Sequence, residues 1–297
     1  MRLKSYQADG ILLLVAISWG VTFALVQDAL ESVSVYTFLF WRFLFAFILM
    51  ALIAWKHWHN LTKPVLYASM VLGLLNFSAF AFQTYGLTLT LSSTVAFITG
   101  LNVIFIPFLA LVIFKRSVSI YAMIGAAIAI IGLWLLTGQR GLGLGLGETY
   151  TLVCAVLFSL HILFTDRFAR KYTVILLVTI QFGVIALASL MVGIAQDGSV
   201  VPDSYDYAFL LAMVATVLFA TIFAFWAQTS MQRFTTPAKT ALIFTMEPLS
   251  AAIFGYFYAG EMLGTMQIFG GILIVAAVIF AESMTLKSKN NTAPVTK

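Results

Sequence analysis

Long apolar runs separated by short polar breaks dominate the chain. Ten can be marked off, near residues 10–27, 35–54, 65–87, 91–114, 119–137, 148–165, 173–195, 207–231, 237–258 and 263–283. An α-helix rising about 1.5 Å per residue needs about 20 residues to cross a hydrocarbon core of about 30 Å, and each run is near that length. The pattern predicts an all-α membrane protein of ten transmembrane helices, with breaks too short to hold an extramembrane domain.

The ninth run carries the most informative interruption. Glu247 stands near its middle, followed at once by Pro248. A carboxyl group at that depth is costly unless it is paired, protonated or faces a watery cavity, so its first reading is functional. Pro248 lacks an amide hydrogen and crowds the carbonyl four residues back, which predicts a kink and a freed backbone acceptor beside the acid.

Composition and charge sharpen this picture. Hydrophobic residues make up 62% and charged residues 9% of the 297, far from the balance of a soluble domain. The net charge of +5 is spread through short breaks and not gathered in a patch, so no nucleic-acid partner is expected. The single cysteine, Cys154, lies in an apolar run, and His57 and His59 flank Trp58 in a break; neither pattern suits a metal centre. The first run has no small-residue cleavage motif at its end and reads as a retained helix. With the N-terminus placed in the cytoplasm, thirteen Lys and Arg residues fall in inside segments and only Arg140 outside. That bias predicts cytoplasmic N- and C-termini.

The chain also resembles itself. At an offset of 139, Arg42 in the second run meets Gln181 in the seventh; at 145, Gln83 meets Gln228, Asn102 meets Glu247 and Arg116 meets Glu261. Two repeats are expected, 10–137 and 148–283, followed by a cytoplasmic tail, 284–297. Five spans per repeat is an odd number, so the second copy enters from the opposite face, as in inverted-repeat carriers. The glycine-rich run 141–147 lacks the lysine and preceding strand of a phosphate loop and reads as a connector between repeats. Small residues in the fifth and tenth runs, Gly125, Ala129, Gly132, Gly264, Gly270 and Gly271, permit close helix contact, within one chain or across a homodimer.

The Trp19-Gly20 pair, Arg42, the Glu247-Pro248 pair and the run from Gly260 to Ile274 resemble the EamA family of the drug/metabolite transporter superfamily. The likeness extends from about residue 10 to about residue 280. It implies an inner-membrane carrier of small organic metabolites, often an exporter, with a central cavity between the repeats. The first repeat departs from the pattern: Val103 stands where the second has Pro248, the proline comes four residues later at Pro107, and Lys115-Arg116 replaces the usual acid.

Glu247 is read as a group that exchanges a proton or pairs with a cationic substrate, against a fixed ion pair or a neutral interhelical contact. Arg42 suits a substrate carboxylate, and a structural partnership with Glu247 stays equally open. Gln83, Gln228, Asn102, Asn76 and Gln181 either read polar groups of a substrate or hold helices together. His161 could relay a proton, although a lone membrane histidine is more often a satisfied contact. Trp19, Phe23, Phe77, Phe80, Phe82, Tyr85 and Trp226 are candidates for aromatic walls; Phe80 and Phe225 each share a helix face with a glutamine three residues on. Pro107 and Pro248 are the expected helix kinks.

These readings combine into a secondary transporter that moves small amphipathic metabolites, amino acids or related compounds, by alternating access, with export expected. The alternative is uptake of a vitamin or other nutrient. A channel would need a filter-like segment, and an enzyme a nucleophile with its base or a metal motif; neither is seen. The expected partners are the substrate, the bilayer and a coupling proton or counter-substrate. No cofactor, metal or catalytic residue is expected.

Overall fold

The computed structural model describes residues 5–115, 117–136, 144–202, 204–231, 234, 240 and 243–292. Among them there is no strand. The helices are α1 (Ser5–Ala29), α2 (Val35–Ile53), α3 (Lys63–Leu87), α4 (Ser92–Thr99), α5 (Asn102–Phe114), α6 (Ile120–Leu136), α7 (Leu146–Ala169) and α8 (Val174–Asp197). Then α9 (Tyr207–Ala215), a π segment (Thr216–Phe223) and α10 (Ala224–Met231) run on as one rod, followed by α11 (Met246–Ala259) and α12 (Thr265–Thr292). A short 3-10 turn, Trp55–Asn60, comes after α2.

Eight described helical stretches are long and apolar enough to cross a membrane, so the chain is a multi-pass membrane protein. The fifth run yields only the 17-residue Ile120–Leu136 and the ninth the 14-residue Met246–Ala259. Several helices run past their expected bounds, and α12 continues to Thr292, into the stretch read as a tail. Part of the ninth run (237–239, 241 and 242), Arg116, Arg140, residues 141–143 of the glycine-rich connector and tail residues 293–297 lie outside the described residues. Gly145, from the same connector, is the N-cap of α7.

Local sequence sets several boundaries. Ser34 accepts a hydrogen bond from the Thr37 amide at 3.3 Å to start α2, and Asp206 accepts from the Phe209 amide at 2.8 Å to start α9. That bond holds the Asp206 carboxyl below its usual range. Pro64 sits in the first turn of α3, where its missing N–H costs nothing.

The neighbours of each helix repeat between the halves. Runs two and seven pack together as α2 and α8, and runs five and ten as α6 and α12. Run three packs on run six (α3 on α7) as run eight packs on run one (α9, π segment and α10 on α1). Run one packs on run nine (α1 on α11) as run six packs on run four (α7 on α4 and α5). Among the described residues the exchange is not exact: α3 packs broadly along α8, whereas α2 meets the eighth run chiefly at the π segment. The small-residue faces of α6 and α12 are used within the chain, where a β-carbon on Gly132 would lie 2.9 Å from the carbonyl oxygen of Gly270.

Candidate functional site

The fourth run is not one helix. It turns at Gly100 and Leu101 and resumes at Asn102, the first residue of α5. The ninth turns at Thr245 and resumes at Met246, with Glu247 second in α11. Gly100 and Thr245 are 145 positions apart, the offset that also relates Asn102 to Glu247. The carbonyl that Pro248 would crowd belongs to Phe244, the residue just before the turn, so the interruption lies where a proline removes a helical hydrogen bond. Pro107 does not break its helix: α5 runs through it, and the interruption comes seven residues earlier at Gly100. A β-carbon on Gly100 would lie 3.5 Å from Pro248 Cγ, so the break in the fourth run packs on the start of α11. Both half-helices thus begin inside the bundle, and the start of α5 stays tied to the break, where the Val103 amide reaches the Gly100 carbonyl at 3.4 Å and the Ile104 amide the Leu101 carbonyl at 2.9 Å.

A cavity opens beside the two breaks, with about 670 Å³ of atom-free space, its open side included. Glu247, Arg42, Gln83, Gln228, Asn102, Trp19 and His161 all line it. Fourteen of its eighteen lining residues fall into pairs related by the repeat offsets. At 139 the pairs are Trp19 with Phe158, Thr22 with His161 and Phe23 with Ile162; at 145 they are Phe80 with Phe225, Gln83 with Gln228, Thr99 with Phe244 and Asn102 with Glu247. Phe80 and Phe225 meet with ring centroids 6.0 Å apart, and Phe43 meets its counterpart Phe182 at 5.8 Å.

The polar groups differ in how fully they are satisfied. Arg42 donates from Nε to Thr221 Oγ1 at 2.8 Å, and its guanidinium lies 5.1 Å from the ring centre of Phe43 and 4.8 Å from that of Phe80. Arg42 and Glu247 share the cavity without forming an ion pair, and among the described residues the Glu247 carboxyl has no hydrogen-bond partner. Asn102 Oδ1 and Gln228 Oε1 are also buried without a partner, whereas Gln83 donates to Thr99 Oγ1 at 3.3 Å. His161 Nε2 is the centre of a cluster with Asn76 Nδ2 at 3.1 Å, Gln181 Oε1 at 3.2 Å and Thr165 Oγ1 at 3.3 Å. The histidine thus sits in an interhelical polar cluster and on the cavity wall at once.

Of the aromatic candidates, Trp19, Phe23 and Phe80 line the cavity. Phe82 packs on Tyr150, Tyr85 donates to Gln196, Phe77 packs on Tyr36, and Trp226 is exposed on the outer surface. Sequence reasoning passed over Phe158, Phe244, Thr22, Thr84 and Thr99. The offset of 139 from Trp19 points to Phe158; a threonine that bonds its own helix, as Thr22 does with the Trp19 carbonyl at 2.8 Å, leaves no such signal.

The chain matches the EamA-like transporter family twice, over residues 7–138 and 145–282. It belongs to that family. It is therefore a membrane transporter of the drug/metabolite transporter superfamily. An uncharacterized transporter of Archaeoglobus fulgidus is 28% identical over 281 residues, covering 94% of this chain and 87% of that one. An S-adenosylmethionine uptake transporter of Rickettsia prowazekii is 22% identical over 255 residues, covering 84% and 85%. A solved crystal structure superposes with a TM-score of 0.70 at 18% identity, covering 97% of this chain and 99% of that one, a likeness of fold.

Proposed function

We propose that this EamA-like transporter is an inner-membrane secondary carrier of small amphipathic metabolites that bear an amino and a carboxyl group, and that it works in the direction of export. Its ten spans form two inverted repeats of five, with both termini in the cytoplasm. The observation that carries this reading is the pairing of the cavity wall: residues equivalent in the two repeats face one shared space. Two equivalent halves around one site can exchange their roles, and a site closed on one side by one half is opened on the other by its mate.

The wall suits such a substrate. Phe80, Phe158, Phe225, Phe244 and Trp19 offer apolar faces, and Arg42 at one place and Glu247, Asn102 and Gln228 at others offer opposite polarity. Glu247 would bind a proton or the substrate's ammonium in turn. Proton binding biases the two access states only so far as its affinity differs between them.

Uptake is the second reading, supported by the relative from Rickettsia prowazekii that is named for uptake of S-adenosylmethionine. Counterflow in liposomes tests the carrier. Labelled amino acids and S-adenosylmethionine are each offered against unlabelled solute on the far side, and saturable trans-stimulated exchange is expected. Flux that rises linearly with concentration and ignores the far side would mean a channel. Exchange of S-adenosylmethionine alone would favour the uptake reading.

A further inference from the structure

The eighth run carries one residue more than its counterpart, the third. The N-caps Thr62 and Asp206 are 144 positions apart, but Asn76 and Thr221, Phe80 and Phe225, and Gln83 and Gln228 are all 145 apart. The extra residue enters between Asp206 and Thr221, and the π segment Thr216–Phe223 overlaps that interval. There the Ala224 amide reaches the Phe219 carbonyl, five residues back, while α3 runs as an α-helix throughout. A π turn absorbs an inserted residue and leaves the next stretch of helix facing as before; in an uninterrupted α-helix the insertion would rotate Phe225 and Gln228 by about 100° away from the cavity.

The π segment also makes two contacts with the wall. The Ala220 carbonyl accepts from Trp19 Nε1 at 2.9 Å, and Thr221 Oγ1 accepts from Arg42 Nε at 2.8 Å. The second contact has a counterpart at the equivalent positions of the other repeat. Arg42 corresponds to Gln181 and Thr221 to Asn76, and Asn76 Nδ2 donates to Gln181 Oε1 at 3.3 Å. The two versions differ in chemistry. The amide pair is joined by His161 into one cluster. The arginine pair uses only Nε, and among the described residues both Nη nitrogens are without a hydrogen bond.

From this we infer that Thr221 is a positioning residue and that the π segment makes Arg42 a fixed receptor for a planar carboxylate. With Nε tied and the flat guanidinium held by Phe43 and Phe80, the Nη pair presents two N–H groups to the cavity in the geometry that grips both oxygens of one carboxylate. The carboxylate subsite is therefore formed once and not twice, because the pair at the equivalent positions, Gln181 and Asn76, is closed by amides. This assignment rests on the reading of the cavity as the substrate site.

Phenylglyoxal, which reacts with guanidinium groups, tests the subsite without any transport. The full chain in detergent is labelled with benzoate or benzamide present, and the adduct on the Arg42 peptide is followed by mass spectrometry. Benzoate is expected to slow labelling of Arg42 about tenfold, the scale of a charge-assisted contact, and benzamide to leave it unchanged. Thr221→Val should remove the protection and Thr221→Ser should keep it. Equal labelling with benzoate and benzamide in the unaltered chain would overturn the subsite. Benzoate protection that survives Thr221→Val would overturn the role of Thr221; if that variant does not fold, loss of protection in a folded Thr221→Ser variant would do the same. Absence of counterflow with benzoate protection intact would instead count against the carrier reading alone.

Discussion

Gly20 of α1 lies directly on the main chain of Glu247 in α11: a β-carbon there would overlap the Glu247 carbonyl oxygen and the Ser250 hydroxyl. The missing side chain lets the first helix seat against the first turn of the half-helix that carries the acid, and so sets where that acid stands in the cavity.

Gly20→Ala should force the two helices apart. An overpacking cost of about 1–3 kcal/mol is expected, read as a lower melting temperature, together with loss of counterflow. Gly10→Ala, in the same helix with nothing within 4 Å of its new carbon, should leave both unchanged.

Glu247→Gln keeps the shape of the side chain and removes its exchangeable charge. Counterflow measured from about pH 5 to about pH 8, the range that brackets neutral working conditions, should lose its pH dependence. If the equivalent places are interchangeable, adding Asn102→Asp to Glu247→Gln should return it. A single variant with an unaltered profile would remove Glu247 from coupling.

Glu261 ties the loop after α11 to the start of α4, accepting from the Ser92 amide at 2.8 Å and the Ser93 amide at 3.1 Å. Glu261→Ala would leave those two amides short of acceptors at a buried helix start, although Gln27 Oε1 also accepts from Ser92 at 3.1 Å. The loss should be about 1–3 kcal/mol, and hydrogen exchange at Ser93 should rise more than at Ser92. Equal exchange at the two would show that Gln27 is not a second acceptor in solution.

His161→Leu should separate the roles of that residue. It strips the Asn76 and Gln181 amides of a shared partner, a destabilisation of about 1–3 kcal/mol read as a lower melting temperature. Counterflow per folded molecule, and its pH profile, should be retained if the histidine only holds helices together. A changed profile would assign it a share of proton movement.

Much of the site was legible because a membrane makes polar residues conspicuous. Glu247, Arg42, Gln83, Gln228, Asn102 and His161 stand out in apolar runs, and the repeat offsets add which of them are equivalent. Directions were harder to read. Phe77, Phe82, Tyr85 and Trp226 are as apolar as Phe80 and Phe225, and an aromatic ring is at home against lipid, neighbour or cavity alike. The breaks at Gly100 and Thr245 were half visible: Pro248 stands beside one, while the other, at Gly100, has no proline next to it. The one-residue slip between 144 and 145 was present in the sequence, but only the π segment shows how a helix hides it.

The glycine seam between α6 and α12 limits how such a molecule can move. A β-carbon on Gly270 would fall within 2.6 Å of the Gly132 carbonyl oxygen, and one on Gly125 within 2.6 Å of Ala281 Cβ. Surfaces keyed at main-chain distance resist sliding, since any shift along the axis brings a bulkier neighbour into the notch. In the carrier proposed above, that pair would be the doorpost, the part expected to stay still while the helices lining the cavity swing.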